Sequence, residues 1–354
     1  EYLSEPPSEL RPGVVGTLLD EQADLQDIIA TLVDLARRGA IDMQEIERST
    51  FLGLSTTKEF VFRRRDDFDG ALRPYERTLI KKMFGNRDEV KLEDLQNKFY
   101  TAIPTLQDQL YEEAVEQGLF AKNPKSVRNR WMALGIGGLV VAVGAAFCAG
   151  AALGNVTIDA LLCPFASLGI VSIAMLILSR AMPVKTRLGA EEAAKWRAFE
   201  TYLKNAEAYA DLEQVTEQFD RYLPYAIALG LERTWVNKFS RIESTPIPRW
   251  YYPVGIPYGT GRYSTSTVGG RPGAPLPTSA GGAGPRDLRG DAVRPAPSLD
   301  RMSEGMFGSL SSMSAGLFSM LNSTANTFRS TPSSSSGGGF RGGGGGFSGG
   351  GFSG

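Results

Sequence analysis

The sequence predicts a mixed membrane protein, with a winged-helix-like cytoplasmic α+β region, a two-helix transmembrane hairpin, further cytoplasmic helices and a disordered Gly/Ser-rich tail. Three observations predict it. Two uncharged runs of spanning length stand side by side, Trp131 to Leu153 and Ala160 to Ser179. Residues 1–120 carry helical and strand periodicities punctuated by glycine and proline. Beyond residue 255, glycine, serine and proline replace the apolar pattern.

Within residues 1–120, a helix is expected around 13–20, after Pro6-Pro7. From Asp24 to Arg38, Leu25, Ile28, Ile29, Leu32, Leu35 and Ala36 form one helical face, and Gly39 stops the helix before the extended run 40–43. Glu59 to Arg63 alternates as a strand, and Arg64 and Arg65 lead into the turn Asp66–Gly70. The turn's three carboxylates lack the spacing of a calcium loop, so it reads as solvated. Pro74 opens a helix containing Leu79, Ile80 and Met83 that Gly85 ends, followed by short and longer helices over 91–100 and 104–117. Leu32–Ile41 and Leu110–Leu119 both describe an amphipathic helix that ends at glycine and runs into an apolar extension. This predicts a winged-helix-like region, possessing one unit or a duplicated pair. Such modules can bind nucleic acid, but residues 1–120 hold 24 Asp or Glu against 15 Lys or Arg, an excess of nine negative charges that favours a protein partner. Arg63, Arg64 and Arg65 are the candidate anionic contact, weighed against a solvated strand end and a membrane-facing basic patch.

The first uncharged run is 23 residues and the second 20, each enough at 1.5 Å per residue to cross a hydrocarbon core of about 30 Å. Residues 121–130 form a basic juxtamembrane segment with Lys122, Lys125, Arg128 and Arg130, and Arg180, Lys185 and Arg187 follow the second run. The connecting loop has no Lys or Arg, so the hairpin at 131–179 is expected to be multi-pass in the cell membrane with residues 1–130 and 180–354 cytoplasmic. Asn155-Val156-Thr157 in that loop is formally a glycosylation sequon and reads as a polar turn. Gly138, Ala142, Ala146 and Gly150 recur every fourth residue as a candidate helix-packing stripe, for the neighbouring helix or for another chain. Neither run contains an Asp, Glu, Lys or Arg, which argues against an ion or proton path.

Residues 189–240 read as cytoplasmic amphipathic helices carrying Trp196, Phe199, Tyr202, Leu203, Ala206 and Tyr209, with breaks near Pro224 and Gly230. Pro246, Pro248 and Pro253 then predict irregular backbone. The tail at 255–354 is expected to be largely disordered. Met302 to Leu321 carries a weak helical or membrane-contact pattern, read as transient contact because glycine and serine interrupt it. The last 18 residues hold 12 glycines spaced by Phe340, Phe347 and Phe352, a flexible tail with apolar stickers.

Histidine is absent, which excludes Ser-His and Cys-His catalysis, His metal ligation and a histidine pH switch. Cys148 and Cys163 lie in apolar runs and read as packing residues. The segment Gly255–Arg262 lacks the Lys-Ser or Lys-Thr of a phosphate-binding loop. No catalytic set, metal cluster or cofactor site is recognisable, so an enzyme is not expected and no small-molecule substrate is indicated. The expected function is a membrane-anchored protein-interaction or signalling-support protein. The alternatives are an accessory subunit of a transporter or channel and, below that, a membrane enzyme with an unrecognised site. Expected partners are membrane lipid and either another protein or a second copy of the chain, with nucleic acid disfavoured.

The stretches Asp27–Ile41 and Leu110–Phe120, the hairpin at 131–179, the aromatic region 196–239 containing Leu223–Gly230, and the Phe-Ser-Gly tail together make a pattern. It resembles the C-terminal part of the DUF2207, or YciQ-like, family of predicted membrane proteins. The resemblance implies an upstream secretory signal, an extracytoplasmic β-rich domain and a further transmembrane helix that would deliver Glu1 to the cytoplasmic side. It carries over no catalytic set. The chain departs from the family's tails in ending at Gly354 without a terminal Trp.

Overall fold

Asp24 starts the most deeply buried helix by capping it: its side chain accepts from the amides of Gln26 and Asp27, while Asp27 reaches back to the Asp24 amide. In the computed structural model, which describes residues 2–50, 55–153, 158–179, 184–205, 218–239, 248–254 and 315–332, this helix is α2 (Leu25–Arg37). It follows α1 (Pro12–Asp20), whose Pro12 supplies a preset φ at the first helical position. The hairpin β1 (Ile41–Thr50) and β2 (Ser55–Arg64) comes next, then α3 (Pro74–Phe84), β3 (Glu89–Lys91), α4 (Leu92–Leu95) and α5 (Ile103–Glu116). A short 3-10 turn at Phe99–Thr101 joins the last two.

The helix stops at the two similar sequence stretches have the same geometry. After α2, Gly39 at φ 86° lets its amide reach Ala36 O and the Ala40 amide reach Leu35 O, both at 2.9 Å. After α5, Gly118 at φ 73° repeats this: its amide reaches Val115 O at 2.9 Å and the Leu119 amide reaches Ala114 O at 3.0 Å. Both use the left-handed conformation that glycine adopts without a Cβ penalty. The continuations differ. After Gly39 a ten-residue strand follows, whereas after Gly118 a single antiparallel bridge, Phe120 to Lys185, spans the hairpin insertion.

Two long helices make up that insertion, α6 (Pro124–Leu153) and α7 (Ile158–Leu178). Among the described residues one segment, Pro124–Cys148, is long and apolar enough to cross a membrane, and Pro164–Leu178 is a shorter apolar helical segment. Their outer faces are exposed large apolar groups, such as Val140 at 66% and Phe147 at 77%, where a soluble helix would carry polar groups. The chain then re-enters the domain through α8 (Arg187–Lys204), α9 (Phe219–Ala228) and α10 (Glu232–Phe239). Pro224, expected to break a helix, sits inside α9, where burial of Tyr222, Leu223 and Ile227 outweighs the one missing backbone bond.

A four-stranded sheet in the order β3-β2-β1-β4 lies against these helices. Its β4 (Tyr251–Tyr252) runs parallel to β1 where proline predicts irregular backbone. Pro248 and Pro253 flank the two paired residues and interrupt neither, and β4 is an edge joined to β1 partly through Met43 N donating to Trp250 O at 2.7 Å. Register pairs Met43 with Phe62 and Glu45 with Phe60, so these four share one face. One continuous core joins that face to α1, α2, α3, α5, α8, α9 and α10.

The tail departs from the expectation of disorder at residues 315–329, which form a helix packed into the same core. Leu317, Met320, Leu321, Thr324, Ala325 and Phe328 are all buried, at spacings of three and four. Burial of this stripe overrides the poor helix propensity of its glycine, serines and asparagines. The sequence pattern ending at Leu321 misses Thr324, Ala325 and Phe328. Residues 154–157, Ala206, Tyr209, 255–314 and 333–354 lie outside the described residues, and with them the sequon, the Gly255–Arg262 stretch, most of the Met302–Leu321 pattern and the terminal phenylalanines.

Candidate functional site

The most developed site is the groove that receives residues 315–329. Its floor is the far end of the helix-facing sheet surface, with Phe60, Tyr251 and the buried carboxylate of Glu45. Tyr251 Oη donates to Glu45 Oε2 at 2.7 Å and Lys58 Nζ lies 2.5 Å from Glu45 Oε1, so the charge is matched where the helix covers it. Gly316 crosses directly over this pair. A Cβ there would lie 2.4 Å from Tyr251 Oη and 2.5 Å from Glu45 Oε2. At the other end the Phe328 ring stacks on Phe99 with centroids 3.7 Å apart, and the Asn97 amide donates to Ser330 Oγ at 2.8 Å. Beside the helix, Ser323 and Thr327 border an open cavity of about 510 Å³ whose other walls include Arg48, Lys58, Phe60 and Leu92.

The second element is the stem that holds α6 and α7 to the domain. Thr186 accepts from the Gly189 amide at 2.9 Å as the N-cap of α8, and its own amide donates to Leu119 O at 3.0 Å. Thr186 Oγ1 also donates to Gly118 O at 2.6 Å. Lys185 Nζ pairs with Glu21 at 2.9 Å, while Lys125 Nζ, in the first turn of α6, pairs with Asp108 of α5 at 2.6 Å. Both ends of the helix pair are therefore tied to the same domain.

Of the candidate packing stripe, Gly138 lies against Ser172 of α7 and Ala142 is buried, but Ala146 is exposed. Gly150 falls outside the residues whose surroundings are described. Gly135 is the contact that sequence spacing missed: a Cβ there would meet Leu176 at 2.8 Å and Ser172 O at 3.1 Å. Steps of three and four around a 3.6-residue turn keep a stripe on one face, whereas repeated steps of four rotate it away. Cys148 is a free, exposed thiol on α6, and the surroundings of Cys163 are not among those described.

Strand alternation separates the three candidate arginines. Arg63 pairs across the sheet with Asp42, and its guanidinium meets Glu89 at 2.6 Å and Gln44 at 2.5 Å. Arg64, on the opposite face, pairs with Asp88 at 2.6 Å, and Arg65 forms two bonds with Asp67 at 2.7 and 2.9 Å. An anion approaching any of them competes with a carboxylate already in place. Among the described residues no group of three His, Cys, Asp or Glu side chains is placed to hold a metal ion.

Sequence reading also passed over the buried acids. Asp34 receives Arg37 and Arg38, each at 2.9 Å, and Arg38 continues to the fully buried Glu76, pinning α2 to α3. Asp27 is buried with Oδ2 2.9 Å from Thr17 Oγ1, and burial, then the nearby charges of Asp24 and Asp20, hold its carboxyl well above the usual carboxylate range. The native state therefore binds this proton more tightly than the unfolded chain. The resulting stability is present below the unfolded carboxylate pKa and is lost as pH rises through the raised native value. Asp27→Asn, which has no proton to lose there, is expected to show a smaller fall in melting temperature between pH 5 and pH 8 than the parent chain. Identical pH profiles would mean that native Asp27 is already ionised at pH 5, as it is in the unfolded chain, and that burial does not raise its carboxyl.

Residues 1–239 match the family described as predicted membrane protein (DUF2207) C-terminal domain. No curated protein and no solved structure matches the chain. The match ends at Phe239, so the 315–329 helix that fills the groove lies beyond it. With a spanning-length apolar helix inserted between α5 and α8 and a family match over residues 1–239, the chain is a membrane-associated protein that belongs to the DUF2207 family.

Proposed function

We propose that this protein is a multi-pass, membrane-anchored protein-interaction module whose sheet groove accepts an amphipathic helix. Residues 315–329 are its resident occupant, and a helix of a partner protein is the exchangeable one. The observation that carries this reading is the seated helix itself, buried along one stripe and closed at both ends by Gly316 and Phe328. A 62-residue stretch, 253–314, separates it from β4, so docking is an intramolecular association that a competitor can reverse.

The stem supports this membrane arrangement. With α7 at 21 residues, about 31 Å long at 1.5 Å per residue, both helices can span. The bridge from Phe120 to Lys185 supports a hairpin that leaves and re-enters on one side, and the flanking Lys and Arg favour the cytoplasmic side for residues 1–130 and 180–354 alike. The repeated helix–glycine–extension geometry supports two winged-helix-like units. In the first, β1–β2 is the wing, and in the second, the membrane hairpin stands where a wing would.

The test uses the chain ending at residue 314, in nanodiscs, and a synthetic peptide of residues 313–332. Saturable binding with Kd below about 1 mM, the order of the effective concentration that covalent linkage supplies, is expected. A native membrane partner enriched by the shortened chain and released by the peptide would identify the exchangeable helix. Absence of saturable peptide binding overturns the groove reading. A partner insensitive to the peptide but lost on Gly135→Leu would instead favour an accessory subunit that assembles through its membrane helices. For topology, a cysteine placed at Asn155, with Cys148 and Cys163 replaced, is expected to react only from the face opposite residues 1–130.

A further inference from the structure

We infer that a pocket between α3 and the end of β2 binds a phosphate-headed amphiphile, its head held by Arg77 and Lys81 and its apolar body lying on Phe68, Leu72 and Ile80. The pocket is about 340 Å³ and is completed by Arg64, Arg65, Ala40 and Gly85. Four of its nine lining residues are cationic and none is acidic, although the domain around it carries an excess of nine negative charges over residues 1–120. A net repulsive field would keep phosphates away from most of this surface, so a cation-only concavity is a local reversal with consequences for what can enter.

The four cations are not equivalent. Arg64 and Arg65 are turned to Asp88 and Asp67, which lie outside the lining. Arg77 and Lys81, one turn apart on the exposed side of α3, have no carboxylate partner among the described residues. A guanidinium and an ammonium together can meet two oxygens of one phosphate, the first as a planar fork and the second as a point charge. The floor beneath them is apolar, with Phe68, Leu72 and Ile80 all partly buried against the core. A bare anion would leave that floor wet, whereas a short hydrocarbon body would cover it. The ligand could be a lipid headgroup with the start of its chain or a soluble organic phosphate, and both share this chemistry. The inference does not depend on the groove that holds residues 315–329.

The test uses the full chain in phosphatidylcholine nanodiscs with butyl phosphate as probe, read by equilibrium dialysis and by thermal shift. Saturable binding is expected, with inorganic phosphate at least tenfold weaker because it lacks the apolar body. The double variant Arg77→Ala/Lys81→Ala should weaken butyl phosphate at least tenfold while melting like the parent without ligand, since both side chains are exposed. Lys82→Ala removes an adjacent exposed charge outside the pocket and should leave affinity unchanged. In nanodiscs containing phosphatidic acid, loss of the butyl phosphate shift, restored by dilution of that lipid, assigns the site to a headgroup, and persistence of the shift assigns it to a soluble phosphate. No saturable binding, equal affinity in the double variant, or equal affinity for inorganic phosphate overturns the inference.

Discussion

Phe328→Ala is expected to release residues 315–329 from the sheet while the rest of the domain stays folded. The ring is fully buried and stacked on Phe99, so its truncation costs about 3–5 kcal/mol of docking, a factor of a hundred or more in occupancy. The freed segment holds one glycine, two serines, two threonines and two asparagines in 15 residues, too short and too poor in helix formers to stay helical alone. Hydrogen exchange gives the readout: amides from Leu317 to Phe328 should lose protection together, while those of β1 and β2 keep theirs. Asn326→Ala, at an exposed position of the same helix, should leave protection intact. Unchanged protection in Phe328→Ala would mean that the stripe is not what anchors the segment, and the interaction reading would lose its support.

Gly189→Ala should destabilise the chain where simple helix propensity predicts the reverse. At an unobstructed helical position the change would stabilise by about 1 kcal/mol. Here an added Cβ would sit 2.0 Å from Leu119 O and 2.8 Å from Leu119 C. Those are backbone atoms, held by the Thr186 amide and the Phe120 bridge, so no side-chain rotation relieves the overlap. A loss of about 2–3 kcal/mol is expected, with the amide of Thr186 exchanging faster as the stem opens. Ala190→Gly, next door and exposed, should cost only about 1 kcal/mol and leave that amide protected. A Gly189→Ala chain as stable as the parent would show that the stem is loose, and with it the tie between α6, α7 and the domain.

The candidate site was legible in pieces. The basic run at 63–65 stands out in the sequence, but the two cations of the α3 pocket without a carboxylate, Arg77 and Lys81, do not, because nothing local distinguishes them from any exposed helical face. Alternation along β2 sends Arg63 to one side and Arg64 to the other, a consequence of register that the run of three arginines conceals. The small-residue stripe is visible as a composition, yet the choice of Gly135 over Ala146 depends on the crossing of α6 and α7.

By itself the sequence determined what is local. The Asp24 cap, the glycine stops at 39 and 118, the proline starts at 12 and 74, and the uncharged run through α6 each act over a few residues through backbone geometry or solvation. Only the tertiary structure decided that Tyr251–Tyr252 pairs with β1, that Thr186 clamps Leu119, and that residues 315–329 are a helix at all. Each of these gains its free energy from groups tens to hundreds of residues away. Local propensity opposes or ignores such arrangements, and burial against a distant surface settles them.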